Sequence, residues 1–523
     1  MTTKISPDNR TLYYRPVWTS GRYDPLTHSA IFYNLLTGMS FFFEDESADI
    51  IGNILSAGRN GEINIEKLNI KNVSVNDIED FISELLNVGL IIRKPLSESE
   101  ITEKRELTAM SKTASQGRLI MSTEEQELAD AEKDYLIRSK SHIFSLLIEL
   151  TYSCSEKCIH CYNPGATRND NEQNYRHIKN ELDFDEYVRI IDEFYDLGLI
   201  RVTLSGGDPF SKPIVWDIMK YLYEKDIVFD VYTNGQRLLG QETILANLFP
   251  CSVGFSIYSD IPEIHDSITR IPGSLNKTLT VLDRIFNSSI PIQIKCCLMH
   301  QNCKSYRGVA KIADKYSAAF QVDCNIFDSV DGDSCASKYL RLSPEEMRLV
   351  LRDNDLLTYV GPELEDFGSR NLPRDKNVCA AGFSSFCLTP DGRITLCPSF
   401  PSSIGNLRTN TVKEILQSPE LKWWRNIKWS DYTDCGTKDY CSYCAPCPGL
   451  NFSANGNPLK PSENNCYIAK LRKDVADLIR EGKDPLNNQK IEDALQTLPK
   501  YEEKSIKRVT TFNHYGKSLM SKG

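Results

Sequence analysis

The sequence predicts an α/β fold: a parallel sheet with helices outside it, preceded by a small α+β unit and followed by a cysteine-rich segment. Three observations carry this. Strand-like and helix-like segments alternate from 142 to 330. A hairpin-and-helix pattern occupies 12–95. Of 17 cysteines, three sit together at 154–161 and eight between 379 and 466.

In the N-terminal unit, Ala30–Leu36 and Met39–Phe43 are apolar runs joined by Thr37-Gly38, a hairpin signal. A helical stretch follows from Glu46 to Leu55. Ile78, Phe81, Ile82 and Leu85 recur at helical spacing behind a Ser74/Asp77 capping pattern, and Gly89 suits the helix end. Leu90–Ile92 reads as a short closing strand. Residues 96–140 are rich in Ser, Glu and Lys and read as a linker, partly helical at Thr123–Leu136.

Strands are then expected at His142–Leu150, Arg201–Ser205, Ile227–Tyr232, Cys251–Tyr258, Pro291–His300 and Phe320–Val330. Amphipathic stretches such as Phe184–Leu197, Pro213–Tyr223, Leu275–Phe286 and Tyr306–Tyr316 lie between them. Six such units in series imply a parallel sheet, whose chemistry gathers at the C-terminal strand ends.

Composition excludes several classes. Hydrophobic content is 41% and charged content 25%, ordinary for a soluble globular protein. No apolar run reaches about 18 residues, so no membrane span is expected. Met1–Arg10 lacks the apolar core of a signal peptide, so a cytoplasmic location is expected. The net charge of −10 gives no footprint for nucleic acid. The tail Lys500–Gly523 carries six Lys/Arg against two Glu and reads as a solvated end. In a reducing cytosol the cysteines are not a disulfide scaffold.

The loop after the first strand reads Cys154-x3-Cys158-x2-Cys161, with His160 before the third cysteine. With 17 cysteines placed at random, on the order of 0.02 such spacings would arise. Zinc, with His160 as fourth ligand, is the alternative. Three thiolates can also hold three irons of a [4Fe–4S] cube and leave the fourth open.

This motif, at the end of the first strand, resembles the signature of the radical S-adenosylmethionine (SAM) superfamily. The resemblance implies a partial (β/α)6 barrel and a SAM-binding [4Fe–4S] cluster on Cys154, Cys158 and Cys161. It implies a 5′-deoxyadenosyl radical as the reagent and an electron donor such as flavodoxin or ferredoxin as a partner. His160 matches a position near the adenine. Gly206-Gly207-Asp208-Pro209, ending the second strand, resembles the family's G-G-E-P turn, with Asp in place of Glu. Asn234 ends the third strand, and Ser256 resembles a ribose- or carboxylate-contacting position at the end of the fourth. Arg270 resembles an arginine that pairs with the SAM carboxylate; the reading beside it is a surface salt bridge.

The second block holds Cys379, Cys387, Cys397, Cys435, Cys441, Cys444, Cys447 and Cys466. Two closed cubes need eight thiolates. Cys379-x12-Gly392-x4-Cys397 resembles the SPASM domain of peptide-modifying radical SAM enzymes. The 5-2-2 spacing of the quartet departs from that domain's 2-5-3. The resemblance implies Cys379, Cys387, Cys397 and Cys447 on one auxiliary [4Fe–4S] cluster and Cys435, Cys441, Cys444 and Cys466 on the other. If Cys387 is no ligand, one iron faces substrate. Structural zinc is again the alternative.

The N-terminal unit resembles the winged-helix-like leader-recognition domain of peptide natural-product pathways, the fold of the pyrroloquinoline quinone pathway's chaperone. That implies capture of a precursor leader as an added strand. A DNA-binding winged helix is the rival, but Ser29–Lys94 carries ten acidic and five basic residues, the wrong sign for phosphate.

The expected layout is therefore leader recognition (12–95), linker (96–140), radical SAM core (141–345), SPASM domain (346–470) and C-terminal extension (471–523). The expected activity is maturation of a precursor peptide by a thioether or carbon–carbon cross-link. The alternatives are side-chain oxidation on a folded protein, epimerisation with Cys303 or Cys335 as hydrogen donor, and a non-enzymatic metal-bearing scaffold.

Overall fold

A computed structural model describes residues 12–63, 73–114, 123–139, 143–163, 180–324, 326–329, 336, 340–343, 346–347, 350, 374–375, 377, 379–432, 434–444, 446–484 and 488–496. Met1–Arg10, Lys500–Gly523, His142 and Cys335 lie outside them.

The N-terminal unit contains β1 (Tyr13–Tyr14), an antiparallel sheet of β2 (Thr19–Asp24), β3 (Ser29–Asn34) and β4 (Met39–Glu44), then α1 (Asp45–Ser56), β5 (Glu62–Ile63) and α2 (Val75–Asn87). The Ser74/Asp77 capping box forms as expected. One sheet face packs Ala30 and Phe32 on α1 and α2. The other packs Ile31 and Tyr33 on the barrel. Leu90–Ile92 is not a strand. Ile92 makes one antiparallel bridge to Tyr14, because β1 is only two residues long.

The expected linker holds two helices, α3 (Glu98–Ala114) and α4 (Thr123–Ser139). Each is tied down by side chains whose burial composition does not reveal. Buried Arg105 donates to Ala246 O at 2.7 Å and lies 4.3 Å over the Phe249 ring. Tyr135 of α4 is buried against Trp18, Tyr33 and Val228.

Six parallel strands follow: β6 (Ser145–Thr151), β7 (Arg201–Gly206), β8 (Val228–Thr233), β9 (Ser252–Ser256), β10 (Ile292–Cys297) and β11 (Ala319–Asp323). Between them run α5 (Phe184–Asp196), α6 (Val215–Glu224), α7 (Glu242–Asn247), α8 (Pro262–Thr269), α9 (Ser274–Asn287) and α10 (Tyr306–Lys315). Strand β11 is shorter than the expected Phe320–Val330, because its partner β10 ends opposite Asp323.

The strands alternate by face. Leu146, Ile148, Leu150, Val202, Leu204, Val231, Val253, Phe255 and Ile294 are fully buried under the helices, each contributing about 1.5–3 kcal/mol. The opposite face is polar and lines the barrel interior. At the strand starts Arg201 donates to Asp230 at 2.6 Å and to Glu132 of α4. Ser252 also donates to Asp230 at 2.6 Å, and Gln293 donates to Ser252 at 3.0 Å. This network closes the floor of the barrel.

The sheet does not stop at six strands. From the cysteine-rich segment, β12 (Ser385–Leu388) pairs parallel to β6, and β13 (Arg393–Cys397) and β14 (Phe400–Asn406) extend it antiparallel to nine strands. The sheet thus runs on past the expected domain boundary near 345. Among the described residues no helix is long and apolar enough to cross a membrane.

The N-terminal unit docks at the floor. Fully buried Arg15 donates to Asp226 at 2.9 Å, and Arg59 pairs with the same carboxylate at 3.0 Å while lying 3.7 Å over the Tyr223 ring. Asp226 sits in the turn before β8. Asp226→Ala leaves the Arg15 charge buried and unpaired, and is expected to cost about 3–5 kcal/mol. Urea unfolding followed by the fluorescence of a variant that keeps Trp18, at the interface with the barrel, and replaces the other four tryptophans by Phe measures this; a cost under about 1 kcal/mol, the range of an exposed pair, contradicts it.

Candidate active site

The loop from Thr151 to Asn163 crosses the C-terminal ends of the strands. It is held on two sides. Lys157 N and Ile159 N donate to Thr269 O and Ile268 O at 2.9 and 3.0 Å, which brings the end of α8 beside the cysteines. Gly207 N donates to Thr151 O at 2.6 Å and Asp208 N to Ser153 O at 3.0 Å. Cys154 Sγ accepts from Glu156 N at 3.4 Å and from Asn234 Nδ2 at 3.3 Å. Burial, then Glu156 and the neighbouring Cys154 and Cys161, hold the Cys158 thiol well above its ordinary range. A cation bound among the three reverses that cost, since thiolate is the ligand form.

The Gly-Gly turn is required by close approach. Gly206 has φ +124°, and a Cβ there would lie 2.3 Å from Thr151 O. A Cβ on Gly207 would lie 2.4 Å from Ser153 O. Asp208 is fully buried, and its carboxylate accepts from Phe210 N and Thr233 Oγ1, each at 2.9 Å. Asp208 therefore ties the turn to the end of β8 through its side chain. Pro209 is buried behind it, opening a 3₁₀ turn.

His160 packs edge-on to Tyr258 at 4.7 Å, and its Nδ1 is buried without a hydrogen-bond partner. Burial pushes its pKa down to about 4, so the ring is neutral. Ser256 ends β9 on the interior face, half-buried. Arg270 caps α8 in the left-handed region at φ 58° and is exposed. The structure brings Cys154, Cys158, Cys161, His160, Gly206, Gly207, Asn234 and Arg270 around one loop, with no ion pair at Arg270 among the described residues.

One group escaped the sequence reading. Glu149, in β6, is buried, and its carboxylate accepts from Tyr152 Oη at 2.9 Å and Tyr162 Oη at 3.1 Å. Burial pushes the carboxyl up to about 7, with both tyrosine hydrogen bonds opposing. The signal was a lone acid in the run Leu146-Leu147-Ile148-Glu149-Leu150.

The second cysteine block separates into two groups. Cys397 is raised to about 12 by burial and then by Cys447 and Cys379. Ala381 N and Leu450 N donate to Cys379 and Cys447 sulfurs at 3.4 and 3.5 Å. Cys444 is raised to about 12 by burial and then by Cys466, Cys435 and Cys441. Those four line a cavity of about 110 Å³ with Trp429, Tyr440 and Asn451. Cys387 is fully buried on β12, near Glu149 and Cys397, with the Thr395 hydroxyl on its sulfur.

Among the described residues, no three Cys, His, Asp or Glu side chains converge as ligands of one ion. Tetrahedral zinc needs thiolates at about 2.3 Å from one centre. A cube takes one thiolate per iron, and backbone N–H groups on the sulfurs suit it. The donor sets fit a cluster better than zinc, and the orphaned His160 Nδ1 is left for a further ligand.

Comparison with known proteins agrees. Residues 148–303 match the radical SAM superfamily and residues 379–448 an iron–sulfur cluster-binding domain, SPASM. The chain is 24% identical over 344 residues to the antilisterial bacteriocin subtilosin biosynthesis protein AlbA of Bacillus subtilis, covering 63% of this chain and 72% of the relative. It is 24% identical to an AdoMet-dependent heme synthase of Methanosarcina barkeri over 60% of this chain and 93% of that one. The solved structure of Streptococcus suis SuiB bound to precursor peptide SuiA superposes with TM-score 0.49 at 14% identity, over 87% of this chain and 99% of that chain. The chain carries a radical SAM domain and is thereby an enzyme that uses SAM and a [4Fe–4S] cluster. More narrowly, residues 379–448 match a SPASM domain, the part that binds auxiliary iron–sulfur clusters.

Gly207→Ala forces the turn off Ser153 O and is expected to loosen the cysteine loop. SAM affinity, by equilibrium dialysis, should fall at least about tenfold, or 1.4 kcal/mol, while the iron held by the second cysteine block stays. Unchanged SAM affinity contradicts this role.

Proposed function

We propose that this protein matures a ribosomally made precursor peptide by closing a thioether or carbon–carbon cross-link. The observation that carries the reading is the three groups of thiols, the first in the loop after β6, the second reaching β12 and β13 of the same sheet and the third around a cavity beyond it, together with an N-terminal unit whose β4 edge has no paired strand among the described residues. Relatives named for subtilosin biosynthesis and for mycofactocin maturation lend it support.

In this reading Cys154, Cys158 and Cys161 hold the SAM-binding cluster. Cys435, Cys441, Cys444 and Cys466 hold one auxiliary cluster. Cys379, Cys397 and Cys447 hold the other, with Cys387 or a substrate group completing it. When bound, the cluster and SAM supply reductive carbon–sulfur cleavage and a hydrogen-abstracting adenosyl radical. The chain's own residues position the partners. The backbone of Gly206–Pro209 and Asn234 bind the amino-acid end of SAM, with Ser256 and Arg270 at its oxygens and neutral His160 by the adenine. The buried floor network keeps water from entering from below.

The leader docks along the outer edge of β4, which has no hydrogen-bonded strand among the described residues. Phe41 and Phe43 of β4 and Phe81 of α2 form an aromatic wall there, with Phe43 and Phe81 edge-to-face at 5.8 Å. Backbone pairing and apolar pockets for alternate side chains are the physical terms of such capture. A low-potential flavodoxin or ferredoxin supplies the electron.

Two measurements test this. Anaerobically purified protein should hold about twelve irons and matching sulfide, three cubes; near four irons per chain overturns the auxiliary clusters. Co-expression with short reading frames encoded beside the gene, followed by mass spectrometry, tests the reaction. Cross-linking lowers the peptide mass by two hydrogens, epimerisation leaves it unchanged, and oxidation to an aldehyde alters one Ser or Cys. Cys303, a candidate donor for epimerisation, is buried, with its thiol donating to His300 O at 3.4 Å.

A further inference from the structure

Among the described residues, the barrel interior holds a cation that none of these roles uses. In β10, Ile292, Ile294 and Cys296 are buried toward the helices, so Gln293, Lys295 and Cys297 face inward. Lys295 lies across β9, its Nζ 3.4 Å from the ring centroid of Tyr232 on β8. Gly254, on the strand between, makes that crossing possible. A Cβ there would stand 2.8 Å from Tyr232 Cδ1 and 3.3 Å from Lys295 Cε. The carboxylate whose field reaches Lys295, Asp230, is already taken by Arg201 and Ser252, each at 2.6 Å. Among the described residues nothing accepts a hydrogen bond from Nζ, yet Lys295 is only half-buried. Burial pushes its pKa down to about 8, with Asp230 opposing.

An aromatic face returns about 0.5–2 kcal/mol to such a cation. It leaves three N–H donors unspent. A carboxylate would satisfy them with charge-assisted hydrogen bonds. A sheet that reserves a glycine to hold a lone ammonium across its interior has prepared a place for an incoming anion.

We propose that Lys295, braced on Tyr232 over Gly254, anchors a carboxylate of the substrate: an acidic side chain or a peptide C-terminus. That the carboxylate belongs to a peptide rests on the maturase reading; the anion site does not.

The test is competitive acetylation of the holoprotein with SAM bound, using limiting acetic anhydride, with Lys295 labelling read by mass spectrometry against exposed lysines. N-acetylglutamate α-amide probes a side-chain carboxylate, N-acetylglycine a terminal one, and N-acetylglutamine α-amide is the neutral control. One acid should cut Lys295 labelling about fivefold at four times its Kd, and the neutral amide should not. Which acid protects identifies the source. Equal labelling with acid and amide overturns the proposal. So does no labelling of Lys295 without probes, which means a closed interior. Full protection by SAM alone assigns the carboxylate to SAM and overturns it too. A protein that passes this test but leaves every co-expressed peptide unmodified keeps the anion site and loses the maturase reading.

Discussion

The arrangement of the site depends on one strand pairing. Strand β12 lies parallel to β6, with Cys387 opposite Leu147 and Leu388 opposite Ile148. Because side chains alternate across a strand, a slip of one residue would turn Cys387 and Cys397 from the interior to the helix face. The register held here sets Cys387 near Glu149 and carries Cys397 toward Cys379 and Cys447. The second cysteine block is thus bolted to the strand whose end carries the first.

The interior is layered by charge. Its floor is a closed ionic network around Arg201 and Asp230 in which each member has a partner. Above it, Lys295 is half-buried and Glu149 buried, both with displaced titration, one a cation over an aromatic ring and the other an acid between two phenols. At the rim stand backbone amides, thiols, the Asn234 amide, the exposed Arg270 and a neutral imidazole. Polarity is fixed where the fold needs it and left available where chemistry happens.

Much of this was legible in the sequence, for physical reasons. The six strands announce themselves because apolar runs buried on a helix-covered face cannot be polar. The Gly206-Gly207 turn and the three-cysteine loop are local, and their spacing is the geometry. Cys435, Cys441, Cys444 and Cys466, close in sequence except for the last, line one cavity. What stayed hidden is non-local. The helix α4 is foreseen at Thr123–Leu136, but α3 and the docking of both helices are not, because Arg105 and Tyr135 look like surface residues until the barrel is present. The joining of β12 to β6 depends on residues more than 200 positions apart. Glu149 gave one odd letter in an apolar run, and nothing in the sequence ties it to Tyr162.

The position of Asp226 carries a final consequence. It pins the N-terminal unit to the turns where the strands begin, whereas the thiols stand where they end. The seven residues of β6 span roughly 20 Å between those levels at about 3.3 Å each. If a leader is gripped by that unit, as proposed, it must run the length of the barrel wall before the segment behind it reaches the mouth. Reach, as much as recognition, would then set which chains can be served.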